Sequence, residues 1–381
     1  MATRQMSIFD GTQDFRIDKP VRLIEMFSGY SSQALALKYL GVPCEHYKTC
    51  EWAVPSIQAC KDLHFGEDKT DYSATMAFDE VVDYLYRKGI SSNYNEPMTL
   101  QSIRRMGEKK CSQVYNNVCA AHNLVNIQQV HGADLEITDT DKYCYIMTYS
   151  FPCQDLSNAG LGAGMAKCSG TRSGMLWEVE RILTELNGGG QHLPQVLLME
   201  NVPEVHGTNN VQHFAKWIEF LERIGYKCYW EDLNAKDYGI PQNRNRCFMV
   251  SILGDYLYEF PQPMHLEHLL ADCLEQEVDE KYYLSDATID TYLEYNRRNE
   301  EKGNGFKFEP TPTTGGGQFN SQSNTDEGRK PSVRQLCGAI ISQQGRKVER
   351  LTDTATTLMA RDYKGFGNQG QTGVLVCQKD E

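Results

Sequence analysis

Long apolar runs are missing from these 381 residues: none approaches the ~20 residues that a membrane-spanning helix needs. The stretch from Met1 to about Pro20 is polar and mixed, a loose arm without the apolar core of an export signal. Neither secretion nor membrane anchoring is expected. The 13 cysteines include no Cys-x-x-Cys pair, and no Cys/His group has zinc-finger spacing. With no export signal they read as reduced thiols in a cytoplasm, and no metal is expected. Positive charge is also short. The 38 Lys and Arg stand against 51 Asp and Glu, a net charge of −13. That balance argues against nucleic-acid binding over the whole surface, so any such binding has to be local.

What is present suits a globular α/β chain. A hydrophobic content of 40% and a charged content of 23% allow a buried core. The length admits one large domain and a smaller one. Val21–Phe27 predicts a first strand, Ser28–Ser32 a tight turn, and Gln33–Leu40 a helix stopped at Gly41. Strand, small-residue turn and helix open a nucleotide-binding unit, with the helix N-terminus facing the ligand. Ser31 stands where a second glycine is expected. The next strand leads to Cys50-Glu51-Trp52, where an acid can hold a ribose hydroxyl and an indole can stack on adenine. An exposed acid beside a core tryptophan would give the same sequence. Residues 66–122 change character and read as an insertion, with a helix at Asp79–Tyr86. Its Arg87, Lys88, Arg104, Arg105, Lys109 and Lys110 suit a solvated charged face better than a phosphate-contacting one. The sheet pattern resumes at Leu124–Ile127.

Tyr143–Tyr149 is β-branched and aromatic and predicts a buried strand, ended by Pro152. Cys153 then lies on the loop at the strand's C-terminal end, the edge where open α/β sheets bind ligands. A thiol there is either an inert half-buried side chain or, with a lowered pKa, a nucleophile. A Gly-rich stretch from Gly160 to Gly174 follows, able to close over a ligand or to be an ordinary loop. Met175–Leu186 predicts a helix, Pro194–Met199 a buried strand, and Phe214–Ile224 an amphipathic helix. Glu200 sits at the end of that strand, so a thiol and a carboxylate share one sheet edge. A buried carboxylate with a raised pKa can donate a proton. Arg244 and Arg246 alternate just before a strand at Cys247–Leu253 and point the same way, as catalytic groups or as a surface ion-pair set.

Phe151-Pro-Cys-Gln154, Glu200-Asn-Val202 and Gln242-Asn-Arg-Asn-Arg246 occur in the order of the DNA cytosine-5 methyltransferase family, which this chain resembles from about Val21 to Pro261. Phe27-Ser-Gly29 and Glu51-Trp52 look like that family's S-adenosylmethionine pocket. The insertion and Ser169–Leu176 resemble a subgroup of low-GC bacteria and their phages. The resemblance implies a doubly wound, Rossmann-like α/β methyltransferase domain over 21–260, followed by a smaller irregular recognition domain over 261–381. It makes Cys153 the nucleophile toward cytosine C6 and sets Glu200 on the N3/N4 edge of the base. Arg246 would hold O2, with Arg244 supporting the site. Gln154 and Asn201 would orient the loop and substrate. Phe27, Gly29, Glu51, Trp52, Asn126, Ile127, Pro152 and Leu176 would contact S-adenosylmethionine, with Asn126 standing where the family has Asp. Duplex DNA is the implied partner, and its target cytosine has to be flipped out.

Pro261 and Pro263 mark a boundary, and 265–284 reads as helical. Residues 302–381 hold 11 Lys/Arg and 8 Asp/Glu, so positive charge gathers in the expected recognition domain. Thr354–Asp362, with Thr356, Thr357 and Arg361, resembles the family's recognition loop; a Thr-rich surface strand is the plainer reading. The family's last two segments, an Arg-Leu-Thr-Pro-like helix and a Gly-Asn-Ser helix, have no counterpart here. A second polypeptide supplying them is therefore expected to dock on uncovered apolar surface of Val21–Met26 and Gln33–Leu40. A non-catalytic relative that binds DNA or a partner, and a tRNA methyltransferase, are the competing functions.

Overall fold

The computed structural model describes residues 13–153, 156, 165–167, 173–267, 272, 294, 297–298 and 301, with the short strands 337–340, 355–356 and 374–376. Gln154, Thr357 and Arg361 lie outside the described residues. So do most of the Gly-rich stretch 160–174, most of the helix expected over 265–284, and most of the chain beyond 302. The chain divides into two compact units, residues 1–232 with 246–260, and residues 233–245 with 261–381.

In the first unit the strands β1 (Val21–Met26), β2 (Cys44–Cys50), β3 (Cys144–Tyr149), β4 (Val196–Asn201), β5 (Tyr226–Asn234) and β6 (Asn245–Leu253) form one sheet. Their order is β2-β1-β3-β4-β6-β5. The first four are parallel, and β6 runs antiparallel to β4. The order turns outward in both directions from β1 and β3, which places a ligand crevice at their C-terminal ends.

Side chains alternate between the two faces with period two. On one face Tyr145, Met147 and Tyr149 of β3 and Leu197 and Met199 of β4 join a large core. It is completed by Val179, Ile182 and Leu183 of α6 (Leu176–Gly188) and by Phe214 and Trp217 of α7 (Val211–Arg223). On the other face Cys144, Ile146, Val196, Val250 and Ile252 pack with Ala34 of α1 (Ser32–Tyr39). Helices on both sides make the fold a doubly wound, Rossmann-like one. They also explain why β3 and β4 read as near-continuous apolar runs.

Two expectations are corrected. The apolar side chains of β1 are not uncovered: Val21 and Leu23 are 1% and 0% exposed. Phe15, Leu37 and the Tyr256–Phe260 stretch pack on that cluster. Among the described residues, Tyr39 and Leu40 at the end of α1 are the large apolar side chains exposed there. Leu124–Ile127 is not a sheet strand. Val125 has a φ of +70°, and Asn126 caps a 3-10 turn over Ile127–Gln129 by accepting from the Gln128 N–H. A β-branched pair there reflects burial rather than pleating.

Within the insertion, α3 (Phe78–Lys88), α4 (Leu100–Arg105) and α5 (Glu108–Ala120) enclose a second core with Ile57 of α2 (Val54–His64). Arg87 pairs with Asp83 and Arg104 with Asp79 at the surface, as a solvated charged face would. In the second unit Gln242–Asn243 pairs in parallel with Ala355–Thr356, and Cys337–Ile340 pairs antiparallel with Val374–Val376.

Candidate active site

Strand register assembles the candidate site at one sheet edge. β3 and β4 are parallel with Tyr149 opposite Met199, so Ser150 and Glu200 follow side by side. Ser150 Oγ meets the Glu200 carboxylate at Oε2 and lies 3.1 Å from the Glu200 carbonyl oxygen. β6 is antiparallel, with Asn201 opposite Cys247. It therefore begins where β4 ends, and Arg246 arrives at the same edge. Its Nε is 3.1 Å from Glu200 Oε1, with the two side chains 18% and 16% exposed. An ion pair this sheltered is less screened than a surface pair, and it fixes both side chains.

The loop bearing Cys153 is pinned on both sides. Asn201 Nδ2 donates to the Phe151 carbonyl at 2.9 Å, and Ser173 Oγ donates to the Pro152 carbonyl at 2.8 Å. Cys153 itself is half-buried, and its carbonyl accepts from the Leu156 N–H at 3.0 Å. Arg244 lies in the second unit, where its N–H bonds to Asn234 Oδ1 at 3.0 Å and its carbonyl accepts from the Ala235 N–H. Thr356 pairs through its backbone with Asn243, one residue before Arg244.

At the other crevice position, the turn after β1 is wound tightly. Phe27, Gly29 and Ser31 have φ values of +56°, +57° and +65°. Ser31 thus holds the left-handed conformation that a glycine would take more easily; it stands at the N-terminal boundary of α1 without a side-chain capping bond, its Oγ 3.4 Å from Cys60 Sγ. Glu51, at the end of β2, closes the turn. Its Oε2 accepts from the Gly29 N–H at 3.0 Å and its Oε1 from the Ala53 N–H at 2.7 Å. Asn123 clamps the Glu51 backbone, accepting from its N–H and donating to its carbonyl. Burial pushes the Glu51 carboxyl up to about 7, against the N–H bonds that favour its charge.

The remaining cofactor candidates sit differently. Trp52 is half-buried against the insertion's core. Asn126 and Ile127 are buried, and the Ile127 carbonyl accepts from Arg181. Leu176 is wholly buried in the main core. Ser28 Oγ is buried in the turn without a hydrogen-bond partner, and a Cβ added at Gly29 would meet nothing within 4 Å. An orphaned hydroxyl, open space and a carboxylate at one crevice suit a polar ligand with hydroxyl donors.

The family model for C-5 cytosine-specific DNA methylase matches residues 101–366, a span that includes Cys153, Glu200 and Arg246. The chain belongs to the C-5 cytosine-specific DNA methylase family. Type II methyltransferase M2.ScrFI of Lactococcus lactis subsp. cremoris is 35% identical over 71% of this methylase and 71% of its own length. Orphan methyltransferase M.SssI of Spiroplasma monobiae is 33% identical over 92% of this methylase and 88% of its own length. The methylase is a DNA cytosine-5 methyltransferase.

Sequence reasoning missed three side chains of this site. Ser150 is visible only once β3 and β4 are set in register. Ser173 and Asn123 act on backbone far away in the chain, and no local pattern marks them.

Proposed function

We propose that this methylase transfers the methyl group of S-adenosylmethionine to C5 of a cytosine flipped out of duplex DNA, through a covalent bond between Cys153 Sγ and C6. The observation that carries this reading is the Glu200 carboxylate. It is held between Ser150 Oγ and Arg246 Nε beside the pinned Cys153 loop. Phe27, Gly29, Glu51 and Trp52 would hold the cofactor, which supplies an electrophilic methyl group when bound.

Cytosine C5 is a weak nucleophile. When the Cys153 thiolate bonds to C6, the C5–C6 π pair becomes available at C5, splitting one hard step into two easier ones. The Glu200 carboxylate engages the N3/N4 edge and favours the N3-protonated form as negative charge builds on the ring, and Arg246 stabilises O2. After methylation the C5 proton passes to solvent water, its bonding pair forms C5=C6 and expels Cys153 as thiolate, and N3 returns its proton to solvent. Ser150 donates to Glu200 Oε2, which leaves Oε1 toward Arg246 and fixes the plane of the carboxyl.

Transfer of labelled methyl from S-adenosylmethionine to duplex DNA tests the proposal. Label is expected in 5-methylcytosine of DNA and absent from tRNA. Label in tRNA alone, or DNA binding without transfer, would overturn it. A second polypeptide would have Tyr39 and Leu40 rather than β1 to dock on; full activity of the isolated chain, with no gain on adding such a partner, removes that reading.

Ser150→Ala is expected to slow turnover about tenfold, the loss of one charge-assisted hydrogen bond of ~1.5 kcal/mol, with cofactor affinity unchanged. Ser150→Thr should restore most of it, and steady-state kinetics on the two variants decides.

The carboxyl of Glu51 predicts a pH dependence. Its folded pKa, about 7, lies above the ordinary value of ~4.3. Between those values the folded protein keeps a proton that the unfolded chain has lost, so this group's contribution to stability falls as pH rises through the window and is constant above it. Ionised Glu51 accepts from ribose hydroxyls. Cofactor affinity should therefore climb by up to about tenfold per pH unit below 7 and level off above. Calorimetry from pH 6 to 8 should show that climb in the native protein and a flat profile in Glu51→Gln.

A further inference from the structure

A second group of side chains with metal-ligand chemistry lies beside the catalytic edge, drawn from three elements of the first unit. His206 ends the 3-10 turn Pro203–His206 after β4, Asp232 lies on β5, and Cys247 follows Arg246 on β6. His206 Nε2 is 2.9 Å from Asp232 Oδ1 and 3.1 Å from Oδ2. The imidazole nitrogen, a carboxylate oxygen and Cys247 Sγ all lie within 4.8 Å of one another. Tetrahedral zinc, with bonds of ~2.0–2.3 Å, asks for ligand atoms roughly 3.3–3.8 Å apart, so small side-chain shifts suffice.

A hydrogen-bonded His–Asp pair that ties the turn to β5 would explain two of these residues. The Cys247 thiol joins the same network through Asp232 and adds the soft donor that zinc-class cations prefer. The rest of the setting suits a site. The Trp230 and Phe214 rings lie 4.7 and 6.1 Å from the imidazole ring and fix its orientation. Cys247 is wholly buried, while Asp232 is partly exposed and leaves a path from solvent. A separation of 26 positions between His206 and Asp232 conceals the group from any spacing rule.

We propose that His206, Asp232 and Cys247 form a three-ligand site for a zinc-class divalent cation, with the fourth position open to water. Without a cation the Cys247 thiol keeps its proton, hydrogen-bonded toward Asp232. The cation takes the place of that proton, which passes to solvent, and the thiolate it leaves is held by the metal's charge. Occupancy joins the ends of β5 and β6 to the turn after β4, next to the strand start that carries Arg246.

The test uses the full chain, reduced and stripped of metal, titrated with Co²⁺ and followed by the thiolate-to-cobalt absorption band. A band that Zn²⁺ abolishes by displacement is expected. It should be lost in Cys247→Ser and kept in Cys153→Ser. In His206→Gln, which keeps a hydrogen-bonding side chain against Asp232 should the buried Cys247 variant misfold, cobalt affinity should fall at least about tenfold. Absence of the band in the native chain would overturn the site. So would a band that depends on Cys153, or one that His206→Gln leaves at native affinity.

Discussion

Cys153→Ser should abolish methyl transfer, with a loss on the order of 10⁴-fold or more, while the protein still binds DNA. A serine hydroxyl is deprotonated far less readily than a thiol and is a weaker nucleophile toward C6. The loop should keep its place, because it is tied through backbone carbonyls: Asn201 to that of Phe151 and Ser173 to that of Pro152. Single-turnover rates and DNA affinity measured on the same preparation separate chemistry from binding. Activity within tenfold of the native protein would mean that Cys153 is not the nucleophile.

Glu200→Gln should lower turnover by about 10²–10³-fold, the usual range for losing one group that stabilises charge in the transition state, with a smaller change in DNA affinity. The amide can still accept from Ser150 but lacks the negative charge that would favour an N3-protonated base. It also removes the charge that holds Arg246, 3.1 Å away. Arg246→Ala should cost less in Glu200→Gln than in the native protein, because the two act on one base as a unit. Kinetics on the two single variants and the double variant give that coupling. Additive losses would reduce the pair to two independent contacts.

The parts of this site that were legible lie at strand ends. Tyr143–Tyr149 and Pro194–Met199 are apolar because both sheet faces are covered, and that pattern alone places Cys153 and Glu200 at one edge. Arg246 reaches the same edge because β6 is antiparallel, a reversal that the parallel pattern before it does not foretell. Contacts fixed by register or by distant backbone were not legible. Ser150 is an ordinary serine until Tyr149 is set opposite Met199. Leu124–Ile127 looks like a strand because its side chains are buried, yet Val125 is left-handed. Ser31 occupies a glycine conformation with a side chain small enough to tolerate it. The covering of β1 depends on Phe15 and Tyr256–Phe260, separated by most of the catalytic unit's sequence.

Duplex DNA in which every cytosine is replaced by 5-fluorocytosine puts the covalent mechanism to the most direct test, since it requires no knowledge of the target sequence. Fluorine at C5 cannot leave as a proton does, so the step that expels the enzyme is blocked. Incubation with S-adenosylmethionine should give a protein–DNA complex that survives denaturation. After proteolysis and mass spectrometry the modified cytosine should be found on the peptide carrying Cys153. Methylation of ordinary DNA with no trapped complex on the fluorinated duplex, or a complex joined at any other residue, would contradict the account.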